Sequence, residues 1–400
     1  MLGRSGISYG PRGYSTPRSG IFSGRPQSLM SKAFARNGLL RHIDWLLVLV
    51  VCGLSALGIL LVWSATSQNA DPREYLKKQL LNVIIGFVLM IVVTFMDSRR
   101  LRSWVPAAYG LTVLALLAVL AIGKDVNGAK AWFDLPGGFQ VEPSEFAKLA
   151  LVLVTATILS KRGGARPGVK SLALALACAA PLLGLVAIEP ALGVAMVLVV
   201  TVAAMIVLSG MRLRIIAVLV AGTAALIAFA GGLHLLKSYQ LTRFTSFLHP
   251  AANQSSTGYN AAQAKIAIGS GGMFGQGLFH GQLITGNFVP AQQTDFIFTV
   301  AGEELGFVGA IVIVFLLGVV IVRALRIAAR ADDQFGMLVA SGIAIWFAFQ
   351  SFVNIGMTIG IMPITGLPLP FLSYGGSAVF ADMIAIGLLQ SVHRRHSLFE

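Results

Sequence analysis

Apolar runs long enough to cross a bilayer recur along almost the whole chain, separated by short polar breaks. A spanning helix needs roughly 20 mostly apolar residues. By that measure spans are predicted at 44–65, 79–97, 105–122, 146–160, 171–188, 190–209, 214–236, 297–322, 336–360 and 372–392. The expected fold is an all-α polytopic membrane protein of about ten transmembrane helices. Its transmembrane domain covers 43–395, with a short tail at 396–400. Residues 1–42 contain no acidic residue, are rich in Gly, Ser, Pro and Arg, and hold no apolar core for a cleavable signal. They read as a basic, disordered cytoplasmic tail, with a tether to anionic lipid as the alternative.

Composition agrees with that pattern. Hydrophobic residues make up 56% of the chain and charged ones 12%, against about 25% charged in a soluble domain. Mean hydropathy is +0.80. Cys52 and Cys178 lie within apolar runs, which implies no disulfide framework. A formal charge of +14 would suggest nucleic acid in a soluble protein, but 21 of the 30 basic residues fall in 1–43, 97–104, 160–170, 209–214, 323–335 and 393–400. These are the segments on one side of the predicted bundle, so the excess charge is an orientation signal that places both termini in the cytoplasm. Asp125, Asp134, Glu142, Glu145, Glu189, Asp295, Glu303 and Glu304 sort to the opposite side. So do two long loops at about 123–145 and 237–296, the latter between predicted helices 7 and 8. Long loops on one face commonly carry function, so the chemistry is expected outside the cytoplasm.

The outer segments carry the candidate residues. In NGAKAWFDLPGGFQVEPSEFAKLALVL, Pro143 suits a first helical position and Glu145 falls in the first turn, where the macrodipole favours an anion. Lys148 is then at i+3 and can pair with Glu145, or it can reach a phosphate on the outer face. Glu189 precedes Pro190 and is expected to cap the following helix. In TGYNAAQAKIAIGSGGMFGQGLFHGQ, a short amphipathic helix carrying Lys265 should lie along the membrane surface and end at the glycine cluster. Asp295 stands beside Phe296, Ile297 and Phe298, where it reads as an N-cap. Glu303 and Glu304 follow two turns deeper, as an internally paired couple or as functional intramembrane carboxylates. Pro363, Pro368 and Pro370 interrupt the last outer segment, so its backbone must be buried in protein or line a cavity. Ser373, Tyr374, Gly375, Gly376 and Ser377 would present hydroxyls and free amides there, and Asp382 reads as a bundle-interior contact.

Taken together, EPSEFAK at 142–148, AKIAIGSGGMFGQG at 264–277, TDFIFTVAGEELGFVG at 294–309 and GLPLPFLSYGGS at 366–377 resemble the SEDS family (shape, elongation, division and sporulation) over roughly 43–395. NIGMTIGIMPITGLPLPF is similar to the RodA (elongation) type more than to the FtsW (division) type. The resemblance implies a glycosyltransferase that polymerises lipid II into peptidoglycan on the outer face of the bacterial cytoplasmic membrane and releases polyprenyl pyrophosphate. It maps the family aspartate onto Asp295, expected as the general base, and a motif lysine onto Lys148. Glu142, Glu145, Lys265, Thr294, Ser373, Tyr374, Gly375, Gly376 and Ser377 complete the candidate substrate contacts. It also implies a class B penicillin-binding protein as partner, and no nucleic acid.

The chain departs from the family pattern at Ala131, Gln140, Glu142, Glu189, Ala191, Val194, Ala291 and Gln293. The net loss of positive charge leaves room for a divalent cation, Mg2+ or Mn2+, recruited by Glu142 and Glu189. A lipid II flippase and a non-catalytic scaffold for a transpeptidase are the alternative functions.

Overall fold

The computed structural model describes residues 42–399 apart from 69–70, 97, 127–128, 136–138, 161–166, 190, 212–213 and 215–256. The chain divides into units Met1–His42 and Ile43–Glu400, and the second holds the helical bundle. The predicted tail and nearly all of the predicted span at 214–236 lie outside the described residues.

The helices are α1 (Trp45–Ala65), α2 (Pro72–Thr94), α3 (Ser98–Ile122), α4 (Pro143–Leu159), α5 (Val169–Ile188), α6 (Leu192–Leu208), α7 (Thr257–Ser270), α8 (Gln282–Thr285), α9 (Ile297–Ala329), α10 (Gln334–Ile359) and α11 (Gly376–Phe399). Among the described residues, nine long helices thus correspond to nine of the predicted spans. Seven of them are long and apolar enough to cross a membrane, and α6 is a shorter apolar helix. The protein is a multi-pass membrane protein with a helical fold.

Burial sorts the helices into layers. In the most apolar stretches of α10 and α11, 72% and 78% of residues are buried, against 22% in α3 and α9. The outer helices turn Leu111, Ile122 and Phe315 outwards, each at least two-thirds exposed. An apolar exterior of this kind suits hydrocarbon as its solvent, and packing within it depends on close approach of small residues. Gly86 of α2 meets Met383 of α11, and Gly387 of α11 meets the Met90 backbone of α2, in the most extensive helix pair of the bundle.

At one end, Asp44 ties three helices together. Its Oδ1 accepts from the Leu47 N–H at 3.1 Å and caps α1. Its Oδ2 takes Arg323 Nε of α9 at 2.8 Å, while its backbone exchanges two hydrogen bonds with Gln390 of α11 at 2.9 Å.

The loop predicted at 123–145 contains strands that its run of apolar and polar positions was not expected to form. β1 (Lys124–Val126), β2 (Ala129–Leu135) and β3 (Phe139–Val141) form an antiparallel sheet in that order, with Phe133 opposite Val141. Alternation along AKAWFDL, punctuated by glycine and proline, is the signal for it. The helix predicted around Lys265 is α7, and it ends at Ser270 as the glycine cluster begins. It packs on α9 and α10 with Ala264 and Ala267 fully buried.

α9 contains a break. Gly306 adopts φ 68° and ψ −167°, outside helical space. The loop after α7 supplies what the break loses. Gly272 O accepts from Phe307 N at 2.9 Å and Met273 O from Val308 N at 3.1 Å. In return Gln276 N and Gly277 N donate to Glu303 O and Glu304 O at 2.9 and 3.0 Å. Gly275, at φ 82°, lies against Gly306, so neither position has room for a Cβ. Gly306→Ala and Gly275→Ala should each cost roughly 2 kcal/mol or more, through backbone strain and the clash. Thermal unfolding of the purified variants, against an exposed helical control such as Gly184→Ala, measures this.

Candidate functional site

A cavity of about 440 Å³ opens among β2, β3, α2, the start of α4, the turn between α5 and α6, the non-helical segments around 294 and 365–375, and the start of α11. Asp295 lines it and is half-buried. Its neighbours are held by main-chain hydrogen bonds. Asn354 Nδ2 of α10 donates to Asp295 O at 2.8 Å, Ser373 Oγ to Thr294 O at 2.7 Å, and Tyr374 N to Gln293 O at 2.9 Å. The chain approaches this point through Ala291 at φ 51°, a left-handed conformation unusual outside glycine. Gly366, at φ 73°, passes so close that a Cβ there would lie 3.5 Å from Asp295 Oδ2.

Asp295 does not cap α9. The helix starts at Ile297, its N-cap is Phe296, and no side chain caps it. The extra residues put the carboxylate on the cavity wall instead of over the helix end. Glu189 likewise does not cap α6, whose N-cap is Ala191. It terminates α5, and its own carboxyl oxygens have no hydrogen-bond partner among the described residues. Nor do Glu303 and Glu304 form an isolated pair. Glu303 accepts from the backbone N–H groups of Leu283 and Ile284 at 2.8 and 3.1 Å. Glu304 accepts from Ser64 Oγ of α1 and from Phe279 N. The two carboxylates thereby fasten the 275–286 loop to the bundle.

The proline-broken segment is held by α10. Gln350 Nε2 donates to Pro368 O at 2.7 Å, and Asn354 Nδ2 also reaches Leu367 O at 2.6 Å. Ser373 Oγ accepts from Leu369 N at 2.7 Å. Ser373 is therefore committed to the backbone, whereas Tyr374, Gly375, Gly376 and Ser377 line the cavity. Ser377 Oγ accepts from Glu142 N at 2.8 Å, which joins α11 to the start of α4. Asp382, buried in α11, accepts from Phe371 N at 3.3 Å.

Glu145 and Lys148 form the predicted i,i+3 pair, with Nζ 2.7 Å from Oε2. Lys148 also donates to Gln350 Oε1 at 2.9 Å, and its ammonium lies 4.8 Å from the centre of the Trp346 ring. It is 1% exposed and does not line the cavity. Lys265 is exposed and lies against Gly360 at the end of α10, also away from the cavity wall. Thr294, Glu142 and Glu145 do line it. Asn82, Gln350 and Asn354 are not among the candidates that the sequence suggests. Each is an amide in a largely apolar span, and Gln350 and Asn354 stand one turn apart on a single face of α10.

The described lining holds four carboxylates, from Glu142, Glu145, Glu189 and Asp295, and no lysine, arginine or histidine. Burial pushes Glu142 up to about 7, with Glu145 adding to the rise, the Ser144 hydroxyl and Lys148 opposing it, and Asp295 contributing further. Burial pushes Glu189 up to about 8, with Glu142 adding to it. No group of three or more His, Cys, Asp or Glu side chains is arranged to hold a metal among the described residues.

Residues 44–398 match the FtsW/RodA/SpoVE family of cell cycle proteins. The chain belongs to this family. Among curated members it is 36% identical to the peptidoglycan glycosyltransferase MrdB of Escherichia coli K12, over 89% of this chain and 95% of that protein. It is 33% identical to the peptidoglycan glycosyltransferase RodA of Treponema pallidum, over 88% and 98%. In three dimensions it resembles a chain from a peptidoglycan synthase complex that coordinates polymerization and crosslinking. That match has a TM-score of 0.75 at 32% identity over 88% of this chain and 98% of the other. The rod shape determining protein RodA of Thermus thermophilus gives a TM-score of 0.65 at 30% identity, over 88% and 97%.

The electrostatics of the family site can be tested at two residues. Removing Lys148 alone, as Lys148→Met, strands buried Glu145 and should cost about 3–5 kcal/mol. The Lys148→Met/Glu145→Leu double variant should recover much of it in a double-mutant cycle of unfolding. For Glu189, the folded carboxyl holds its proton to about pH 8, while the unfolded one releases it near its ordinary value of 4.5. The folded state binds more protons between those values, so this carboxyl's contribution falls as pH rises through them. Glu189→Gln should therefore raise the melting temperature at pH 8.5 relative to the parent, with little gain at pH 5.

Proposed function

We infer that this chain is a peptidoglycan glycosyltransferase that polymerises lipid II on the outer face of the bacterial cytoplasmic membrane, in cell elongation and shape maintenance. The observation that carries the reading is Asp295. Its carboxylate borders a cavity, and the main chain around it is fixed by Asn354, Ser373 and Tyr374. A base whose main chain is held from α10 and from the 373–374 segment is pre-positioned for proton transfer. The activity carried by the names of its relatives supports the same reading.

In the proposed step, the acceptor sugar's hydroxyl oxygen attacks the anomeric carbon of the lipid-linked donor. Asp295 takes the hydroxyl proton, the glycosidic bond forms, and the bond from the anomeric carbon to the pyrophosphate oxygen breaks. Polyprenyl pyrophosphate leaves with the electron pair. The long apolar faces of the outer helices suit the polyprenyl chain, and the distribution of basic residues supports cytoplasmic termini. A class B penicillin-binding protein is the proposed partner, by analogy with the synthase complex that this chain resembles.

The test is polymerisation of labelled lipid II by the reconstituted protein with its cognate transpeptidase. Asp295→Asn and Asp295→Ala should each lower the rate by roughly 10²–10⁴-fold, the range expected for loss of a general base, without loss of folding. Polymer formed at parental rates by both variants would remove Asp295 as the base. Transfer of lipid II between leaflets, with no polymer, would favour a transporter instead.

A further inference from the structure

The cavity holds polar groups that proton acceptance by Asp295 does not use. Glu189 is 1% exposed and lines the cavity, yet neither of its carboxyl oxygens has a hydrogen-bond partner among the described residues. Asn82 of α2, 2% exposed, lines the same cavity and leaves its Oδ1 unpartnered. Buried polar atoms are nearly always paired, so three orphan oxygens on two residues that line one cavity call for a ligand that completes them. The described lining decides which kind. It carries carboxyl groups and no cation, so nothing in it would offset the charge of a pyrophosphate seated there. It also offers the half-buried Trp132 from β2 as an aromatic surface. A neutral sugar ring fits this chemistry, because its hydroxyl and amide groups donate to the orphan oxygens and its C–H face can lie on an aromatic ring.

We propose that the Glu189 end of the cavity is a saccharide subsite, in which Glu189 and Asn82 hydrogen-bond the hydroxyl or acetamido groups of an uncharged N-acetylated sugar while the lipid pyrophosphate lies outside it. This rests on the glycosyl-transfer reading and names what that site grips. The upward push that burial and Glu142 exert on the Glu189 carboxyl agrees with a neutral acid able to donate one hydrogen bond and accept another.

The experiment uses the full chain in nanodiscs and two probes, di-N-acetylchitobiose and inorganic pyrophosphate, read by saturation-transfer NMR. Chitobiose should bind to the parent and to Asp295→Asn alike. In Glu189→Ala its affinity should fall by about ten-fold, the scale of a lost buried hydrogen bond, and Glu189→Gln, which keeps a neutral donor and acceptor, should restore most of that loss. Lipid II polymerisation should show the same order as a rise in KM with kcat little changed. Asn82→Leu gives an independent arm should Glu189→Ala not fold, and should weaken chitobiose similarly. Chitobiose binding that ignores both Glu189→Ala and Asn82→Leu would overturn the proposal. So would failure of Glu189→Gln to restore it, which would mean that a negative charge is needed, or displacement of chitobiose by pyrophosphate. Loss of polymerisation in Asp295→Asn with chitobiose binding intact separates the base from the subsite. Polymerisation surviving in that variant would remove the base and leave the subsite standing.

Discussion

Backbone that leaves the helix inside a membrane protein must find its hydrogen bonds within the protein, because hydrocarbon offers none. The candidate site depends on how this chain meets that demand. Pro363, Pro368 and Pro370 keep the 360–375 stretch out of helix, and α10 answers with Gln350 and Asn354, whose amides reach the carbonyls of Pro368 and Leu367. The same Asn354 amide reaches the Asp295 carbonyl, so one side chain satisfies the broken segment and steadies the proposed base. Ser373 works in the same double way between Leu369 and Thr294. Satisfying an irregular backbone and building a rigid cavity wall are here one task.

Charge is arranged by a comparable economy. Lys148 is committed inside the bundle to Glu145, Gln350 and the Trp346 ring. The cavity is left with carboxylates that burial and mutual repulsion push toward their neutral forms at Glu142 and Glu189. An interior cation paired this closely braces α4 against α10 and is poorly placed to meet a phosphate. The fixed charge of the described cavity is thus set by which carboxyls keep their protons, more than by any counter-ion in its wall.

Much of the architecture is legible in the sequence because bilayer thickness and hydrophobic run length speak the same language. The long helices fall on their predicted runs, and Pro143 opens α4 with Glu145 in its first turn, as helix-start chemistry requires. The strands at 124–141 escape because they are short and sit in a loop whose glycine and proline content reads as irregular. The two expected caps, Asp295 and Glu189, fail for a shared reason. Both stand where a capping residue could stand, but each helix starts two or three residues later and the residue lines the cavity instead. Position relative to a helix start is uncertain by about that much from sequence alone. The amides of Asn82, Gln350 and Asn354 escape because a single polar residue in an apolar run gives no hint of which distant group it serves.

The break at Gly306 changes where the membrane boundary falls on α9. As one straight helix its 33 residues would run about 50 Å, far longer than the roughly 30 Å of hydrocarbon in a bilayer. From residue 307 onwards the helix is about 34 Å long, which matches that thickness with a modest tilt. Residues 297–305 then form a separate helical stub, buried in the protein alongside the loop they are laced to. Glu303 and Glu304 are buried against that loop and accept from its backbone, so two carboxylates that looked costly from hydropathy are enclosed by protein and hydrogen-bonded.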